Sequence, residues 1–299
     1  MKKYFTALAV SLLSTIPSLA ADTLHITFAG DLLLDRGVRQ FITYRGIDAI
    51  FRPRVDSVFR QSDLVVANLE CPVTAVHAPV FKRFIFRGEP EWLATLHRHG
   101  ITHLCMANNH SCDQGREGLV DTRRNIIHAG MTPFGAGINN QEAIQPLLLA
   151  SSPRKVWLIA SVMMPLENFL TIPEKPSVSR QSIDSISATI RRLKTADPSC
   201  YVIFMPHWGW EHHLEPVPQQ IRDAHHIINS GADIIIGHHS HTLQTIEDYH
   251  GHRIYYGIGN FIFDQRRPIN DKACLVRLSL THNQAKTETI TIHSYVYAK

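Results

Sequence analysis

The chain has 299 residues, 44% of them hydrophobic and 19% charged, which is the balance of an ordinary globular protein with one sizeable core. That composition excludes a disordered, collagen-like or coiled-coil protein. The formal net charge is only +4, or +2 once Lys2 and Lys3 are set aside with the segment described next, so no nucleic-acid partner is expected. Histidine is the unusual residue, 19 in all with ten of them between His207 and His252. Imidazole titrates near neutral pH and is the commonest metal ligand, so such crowding points to a metal or a pH switch.

In chain order, residues 1–20 (MKKYFTALAVSLLSTIPSLA) have the form of a secretory signal: a basic start, an apolar stretch, and small residues before a cut expected ahead of Ala21. An uncleaved membrane anchor is the alternative. Residues 21–299 then read as one exported domain, secreted or periplasmic, because no later run approaches eighteen apolar residues. Short apolar, β-branched runs predict strands at 24–29, 64–67, 103–107, 156–162, 201–205, 233–236 and 253–262. Amphipathic stretches predict helices at 89–99, 115–129, 182–194 and 218–230. The tail, 273–280 and 289–297 with Asn283 in the turn, reads as an antiparallel hairpin. Alternating strands and helices, with more strands than one small sheet needs, predict an α/β protein with two packed sheets. Residues 72–87, which carry Lys82 and Arg83, and residues 165–179 lack periodicity and read as loops over a site. The five cysteines are odd in number and too sparse to frame the fold; Cys71 and Cys112 are either a disulfide pair or two buried thiols.

The polar residues that follow these runs fall at strand carboxyl ends, where open α/β sheets place their ligand crevices. They are Asp31, Asn68 and Glu70, Asn108 to His110, His207, His238, His239 and His241, and then Asn260 and Asp264. Taken singly, Asp31 reads as a turn residue or cap, Glu70 as a paired carboxylate and Asn109 as a turn former. The GHHSH stretch differs: imidazoles this close repel when protonated, and a metal that replaces the protons removes the conflict. Imidazole, carboxylate and amide without thiolate suit Zn, Mn or Fe and exclude a thiolate-rich structural zinc site. The donors outnumber what one tetrahedral ion needs, so one or two divalent ions are expected. Paired ions sharing a carboxylate activate water for hydrolysis.

The order of motifs resembles the CapA family of poly-γ-glutamate capsule-synthesis proteins, which are related in fold to calcineurin-like metallophosphoesterases. The resemblance is carried by AGDLLLDRGV (29–38), VANLECPVT (66–74), FIFRGEPEWLATLHRHGITHLCMANNHSCDQGREGL (84–119), PHWGWEH (206–212), NSGADIIIGHHSHTLQ (229–244) and YYGIGNFIFDQ (255–265), nearly the whole mature chain. It implies a four-layer α/β sandwich with two mixed sheets flanked by helices. It also implies that Asp31 and His241 hold a first ion, that Asn109, His207 and His239 hold a second, and that Glu70 bridges them. His110 would act as general acid and Arg87 as a bidentate clamp on an anionic group. Asn68, Asp113, His238 and Asn260 would stand behind the ligands, and Glu211, four residues after His207, would orient an imidazole. One departure weakens the first site: the phosphoesterases carry a second histidine two residues after the first Asp, where this chain has Leu33.

Three functions compete on this reading. The chain is a metal-dependent hydrolase or transferase acting on an anionic envelope polymer or its phosphorylated or γ-glutamyl precursor, or a non-catalytic polymer-retention factor working with envelope-assembly proteins, or a pH-sensing binding protein.

Overall fold

The computed structural model describes residues 23–293. The expected signal segment and the last residues of the expected tail strand lie outside them. In chain order the elements are β1 (Leu24–Leu32), α1 (Arg36–Arg45), α2 (Pro53–Arg60), β2 (Leu64–Leu69), α3 (Leu93–Arg98), β3 (His103–Cys105), α4 (Gly115–His128), β4 (Thr132–Phe134), β5 (Ala136–Gly137), α5 (Asn140–Ala143), β6 (Leu147–Ala150), β7 (Val156–Val162), β8 (Ser177–Val178), α6 (Ile183–Ala196), β9 (Tyr201–His207), α7 (Pro218–Asn229), β10 (Ile234–Ile236), β11 (Ile246–Tyr249), β12 (His252–Tyr255), β13 (Asn260–Ile262), β14 (Lys272–Leu280) and β15 (Ala285–His293). The helices begin where the sequence supplies start signals: the Ser182 side chain accepts from Ser185 N ahead of α6, and Pro218 opens α7.

Two mixed sheets form. The first runs β15-β14-β1-β2-β3-β4 with β13 added against β1, and the second runs β11-β12-β10-β9-β7-β6. Alternate residues of β9 reveal the layering, because Tyr201, Ile203 and Met205 join the large core shared with the first sheet while Val202 and Phe204 join a second core. That second core is closed by Ile186 and Ile190 of α6 and by Ala224 and Ile227 of α7. On the far side Phe59 of α2, Leu96 of α3 and Ile126 of α4 close the first sheet. The result is helix, sheet, sheet, helix, as expected. Among the described residues no helix is long and apolar enough to cross a membrane.

One expectation is corrected. The apolar run at 253–262 is not one strand: β12 belongs to the second sheet and β13 to the first. The chain crosses between them at Gly257–Ile258–Gly259, where Gly259 adopts φ +77. Of the two readings of Cys71 and Cys112, the structure has the buried thiols, and all five cysteines are buried and free. The parallel strands β1, β2, β3, β9 and β10 all deliver their carboxyl ends to one edge, and register shifts between Ala29 and Asp31 mark a bulge that aims Asp31 there.

Candidate metal centre

Asp31, Asn68, Glu70, His207, His239, His241 and Asn260 converge at this edge, all buried. Gly30 lets β1 approach so closely that a Cβ there would lie 1.8 Å from the Gly259 carbonyl oxygen, which is what brings Asp31 and Asn260 side by side. The GHHSH loop reverses direction through left-handed backbone at His239 (φ 89) and His241 (φ 55), a conformation disfavoured for histidine and held by its surroundings.

Two donor sets share one carboxylate. One is Asp31, Glu70 and His241; the other is Glu70, His207 and His239, each with its donor atoms within 4.8 Å of one another. His239 Nδ1 and His207 Nε2 face each other at 3.1 Å, and Asn109 Oδ1 lies 2.9 Å from the same Nε2. Glu70 Oε1 stands 3.6 Å from His241 Nε2 and 4.0 Å from His207 Nε2. Neither Glu70 oxygen has a hydrogen-bond partner. An ionised carboxylate buried without partners is costly, and a cation removes that cost, so these residues fit divalent metal.

The electrostatics of the metal-free cluster express the same tension. Burial pushes the Glu70 carboxyl well above its ordinary range, and the Asp31 charge adds to this. Burial would raise Asp31 too, but its bond to His241 and the charges of the nearby imidazoles hold it well below the usual carboxylate range. Burial works against a charge on His241, yet Glu70 and Asp31 overcome it and push that imidazole up to about 9. Burial, then the neighbouring His241, lowers His239 to about 4. Burial, then His239, depresses His207. The neutral imidazoles that metal binding requires are therefore favoured at His207 and His239.

Around the donors stand their supports. Asn68 Nδ2 donates to Asp31 Oδ1 at 2.8 Å and lies 3.5 Å from His207 Nδ1, and Asn260 Oδ1 meets His241 Nδ1 at 2.9 Å. His238 turns away from the cluster to the carbonyls of Ile236 (3.1 Å) and Ala29 (3.4 Å), tying one sheet to the other. His110, buried at the cavity wall, holds Asp113 Oδ2 through Nδ1 at 2.8 Å and stacks on Phe86 at 4.2 Å. Burial lowers its affinity for a proton, against the pull of Asp113.

Two expected residues lie elsewhere. Arg87 does not face the cluster, because its guanidinium is engaged bidentately by Glu89 (2.9 and 2.6 Å) and by the Thr74 carbonyl. Glu211 does not reach His207: the chain turns after β9, leaving this carboxylate 44% exposed at the cavity mouth, 3.6 Å from His212. Lys82 is the residue that sequence reasoning leaves unassigned. Its side chain is 2% exposed, and its Nζ meets Asp113 Oδ1 at 2.7 Å and the Asn109 carbonyl at 2.9 Å. The only signal was its place in the aperiodic 72–87 loop, which does not distinguish it from exposed Arg83.

Solved structures with this architecture are nucleotide hydrolases in part. The fold matches the NAD nucleotidase NadN of Haemophilus influenzae with TM-score 0.52 at 12% identity, covering 91% of this chain and 56% of that one. It matches a 5'-nucleotidase precursor of Thermus thermophilus with TM-score 0.51 at 14% identity, covering 91% and 55%. The chain thus shares its fold with these two nucleotidases. Residues 25–265 match the family described as bacterial capsule synthesis protein PGA_cap, and the chain belongs to it. Among its relatives are the PGA biosynthesis protein CapA of Bacillus subtilis, 30% identical over 277 residues, and the capsule biosynthesis protein CapA of Bacillus anthracis, 29% identical over 270 residues. Each alignment covers 88% of this chain, but only 69% and 65% of those two proteins.

Proposed function

We propose that this protein is an exported, metal-dependent hydrolase or transferase that acts on poly-γ-glutamate or a related anionic envelope polymer, at a phosphoester or an amide bond. One observation carries the reading: Glu70 is buried with both oxygens unpartnered at the point shared by two donor sets. Asp31, Glu70 and His241 would hold one divalent ion, and Glu70, His207, His239 and Asn109 a second. Mn, Zn or Fe bound there would supply Lewis-acid polarisation and a water of lowered pKa. Asp113 fixes the His110 ring through Nδ1 and opposes the loss of its proton to burial, and the protonated ring would give its Nε2 proton to the leaving group. Lys82 clamps Asp113 and the Asn109 carbonyl, and so holds acid and ligand at one spacing.

The test is metal content and turnover together, on a panel of phosphoesters and γ-glutamyl amides. His239→Ala and His241→Ala should each lose metal. His110→Ala should keep it and lose about 10²–10⁴ in rate. Equal metal in all three proteins contradicts the assignment.

A second reading has its own observation. Leu33, fully buried, stands where the resemblance to phosphoesterases calls for another histidine, so the Asp31 side has one donor fewer. A polymer-retention or assembly factor would tolerate that loss. An Asp31→Ala variant that still restores the envelope phenotype of a deletion strain favours it.

A further inference from the structure

The cavity that reaches the metal centre has a second end that the chemistry above does not use. Its volume is about 480 Å³, and one wall carries His110 and His241. The other end carries Arg36, Arg83, Arg266 and Arg267, all on the exposed rim. Four guanidinium groups line it against two carboxylates, Asp264 and Glu211; Asp264 engages Arg36 through two contacts (2.9 and 3.1 Å), so Arg36 shapes the wall while Arg83, Arg266 and Arg267 carry the excess positive charge. Arg36 is a placed residue: it adopts left-handed backbone (φ 55), and Asp264 holds it at 2.9 Å and also accepts from Gly37 N at 3.0 Å. The two ends share a wall, because Phe86 stacks on His110 at 4.2 Å and carries the Arg36 guanidinium 5.6 Å from its ring centroid. Past the rim a neighbouring hollow of about 450 Å³, again lined by Arg36 and Arg266, continues over Gln40.

We propose that this arginine end is a recognition subsite for a second anionic group of the substrate, a carboxylate or phosphate distinct from the group held at the metal ligands. A substrate with one charge fills only the metal end. A chain carrying repeated anions reaches both ends and continues into the neighbouring hollow, so the site selects extended polyanions over small monoanions. Guanidinium suits this task because its fork pairs with carboxylate or phosphate bidentately. The inference rests on the reading above for where the reacting bond sits, but the subsite itself needs no metal.

The test uses chelated, full-length protein, with a fluorescein-labelled hexamer of γ-linked glutamate and inorganic tripolyphosphate as probes. Fluorescence anisotropy should show wild type binding at least one of them in low salt. Arg266→Ala/Arg267→Ala should weaken that probe at least tenfold with an unchanged circular dichroism spectrum. Glu211→Gln, which removes a repelling charge, should tighten it a few-fold. Arg154→Ala, far from this cavity, should leave it unchanged, and acetate should fail to compete. Whether the hexamer or tripolyphosphate is the probe lost in the double variant, the subsite stands and its anion is thereby identified. Equal affinity in the double variant and wild type, or binding that appears only when metal is restored, overturns it. Probe binding without any turnover of loaded protein would remove the hydrolase reading and leave the subsite intact.

Discussion

Replacing Glu70 by glutamine separates a metal bridge from a structural carboxylate. Glutamine keeps the volume and loses no hydrogen bond, because neither Glu70 oxygen makes one. It replaces the anionic donor shared by both sets with a neutral amide that has one oxygen instead of two. Loss of even an outer partner of a ligand weakens metal binding by about 10–100-fold, so neutralising the shared ligand should cost at least about 100-fold. At a metal concentration near 100 times the wild-type dissociation constant, binding stabilises the native state by about 2.7 kcal/mol, and the variant at the same concentration gains only about 0.4 kcal/mol. With about 2–4 °C per kcal/mol for a domain approaching this size, the wild-type melting midpoint should rise by roughly 5–10 °C on adding metal and the variant's by about 1 °C. In chelator the variant should melt within a degree or two of wild type, or above it, since the buried charge beside Asp31 is gone. Scanning calorimetry with and without metal measures both differences. An equal metal-induced rise in the two proteins refutes the reasoning, as does a variant that collapses in chelator while wild type does not.

Other perturbations probe the frame around the centre. Lys82→Met leaves Asp113 buried without its cation and should cost about 3–5 kcal/mol by denaturant titration, whereas a loss under 1 kcal/mol would mean the pair is not a clamp. Gly30→Ala sets a methyl 1.8 Å from the Gly259 carbonyl, so it should lower the yield of folded protein or displace Asp31; a variant with wild-type stability and metal affinity would contradict the close approach. His103, at the start of β3, is lowered by burial to about 4 from an ordinary 6.5. The unfolded chain therefore takes up its proton first as pH falls, and stability is lost between about 6.5 and 4, with no further change below. His103→Gln should flatten that limb of the stability curve by about 3 kcal/mol, and parallel curves would show that the imidazole stays accessible in the fold.

The sheets were legible because their strands are β-branched runs that end in polar residues. Val156–Val162 has the bounds that its composition predicts, and β9 continues two residues past its apolar run to place His207. What the sequence hides is long-range. The run at 253–262 reads as one strand because Ile254 to Tyr256 and Phe261 to Ile262 are both buried apolar segments, yet each half serves a different sheet. Helix α1 places Val38, Phe41 and Ile42 at helical spacing, but it is only ten residues long and its three arginines dilute that signal. At the site, the donors were visible because metal chemistry demands specific residue types. Partners set by chain direction were not. The spacing of Glu211 from His207 suggested contact, but contact at that spacing requires a helix, and the chain turns there. Arg87 lies beside Glu89 in sequence, and that near carboxylate captures it before any substrate can. Lys82 became meaningful only when a loop with no periodic pattern folded down onto Asp113.

The central claim is that Glu70 lies between two cation sites. Anomalous diffraction from crystals grown with manganese or zinc, recorded at the metal edge, tests it most directly. The account predicts at least one strong peak within ligand distance of a Glu70 oxygen and of His207 and His239 or of Asp31 and His241. Crystals whose peaks all lie away from Glu70, at metal concentrations that saturate the protein in solution, would contradict it.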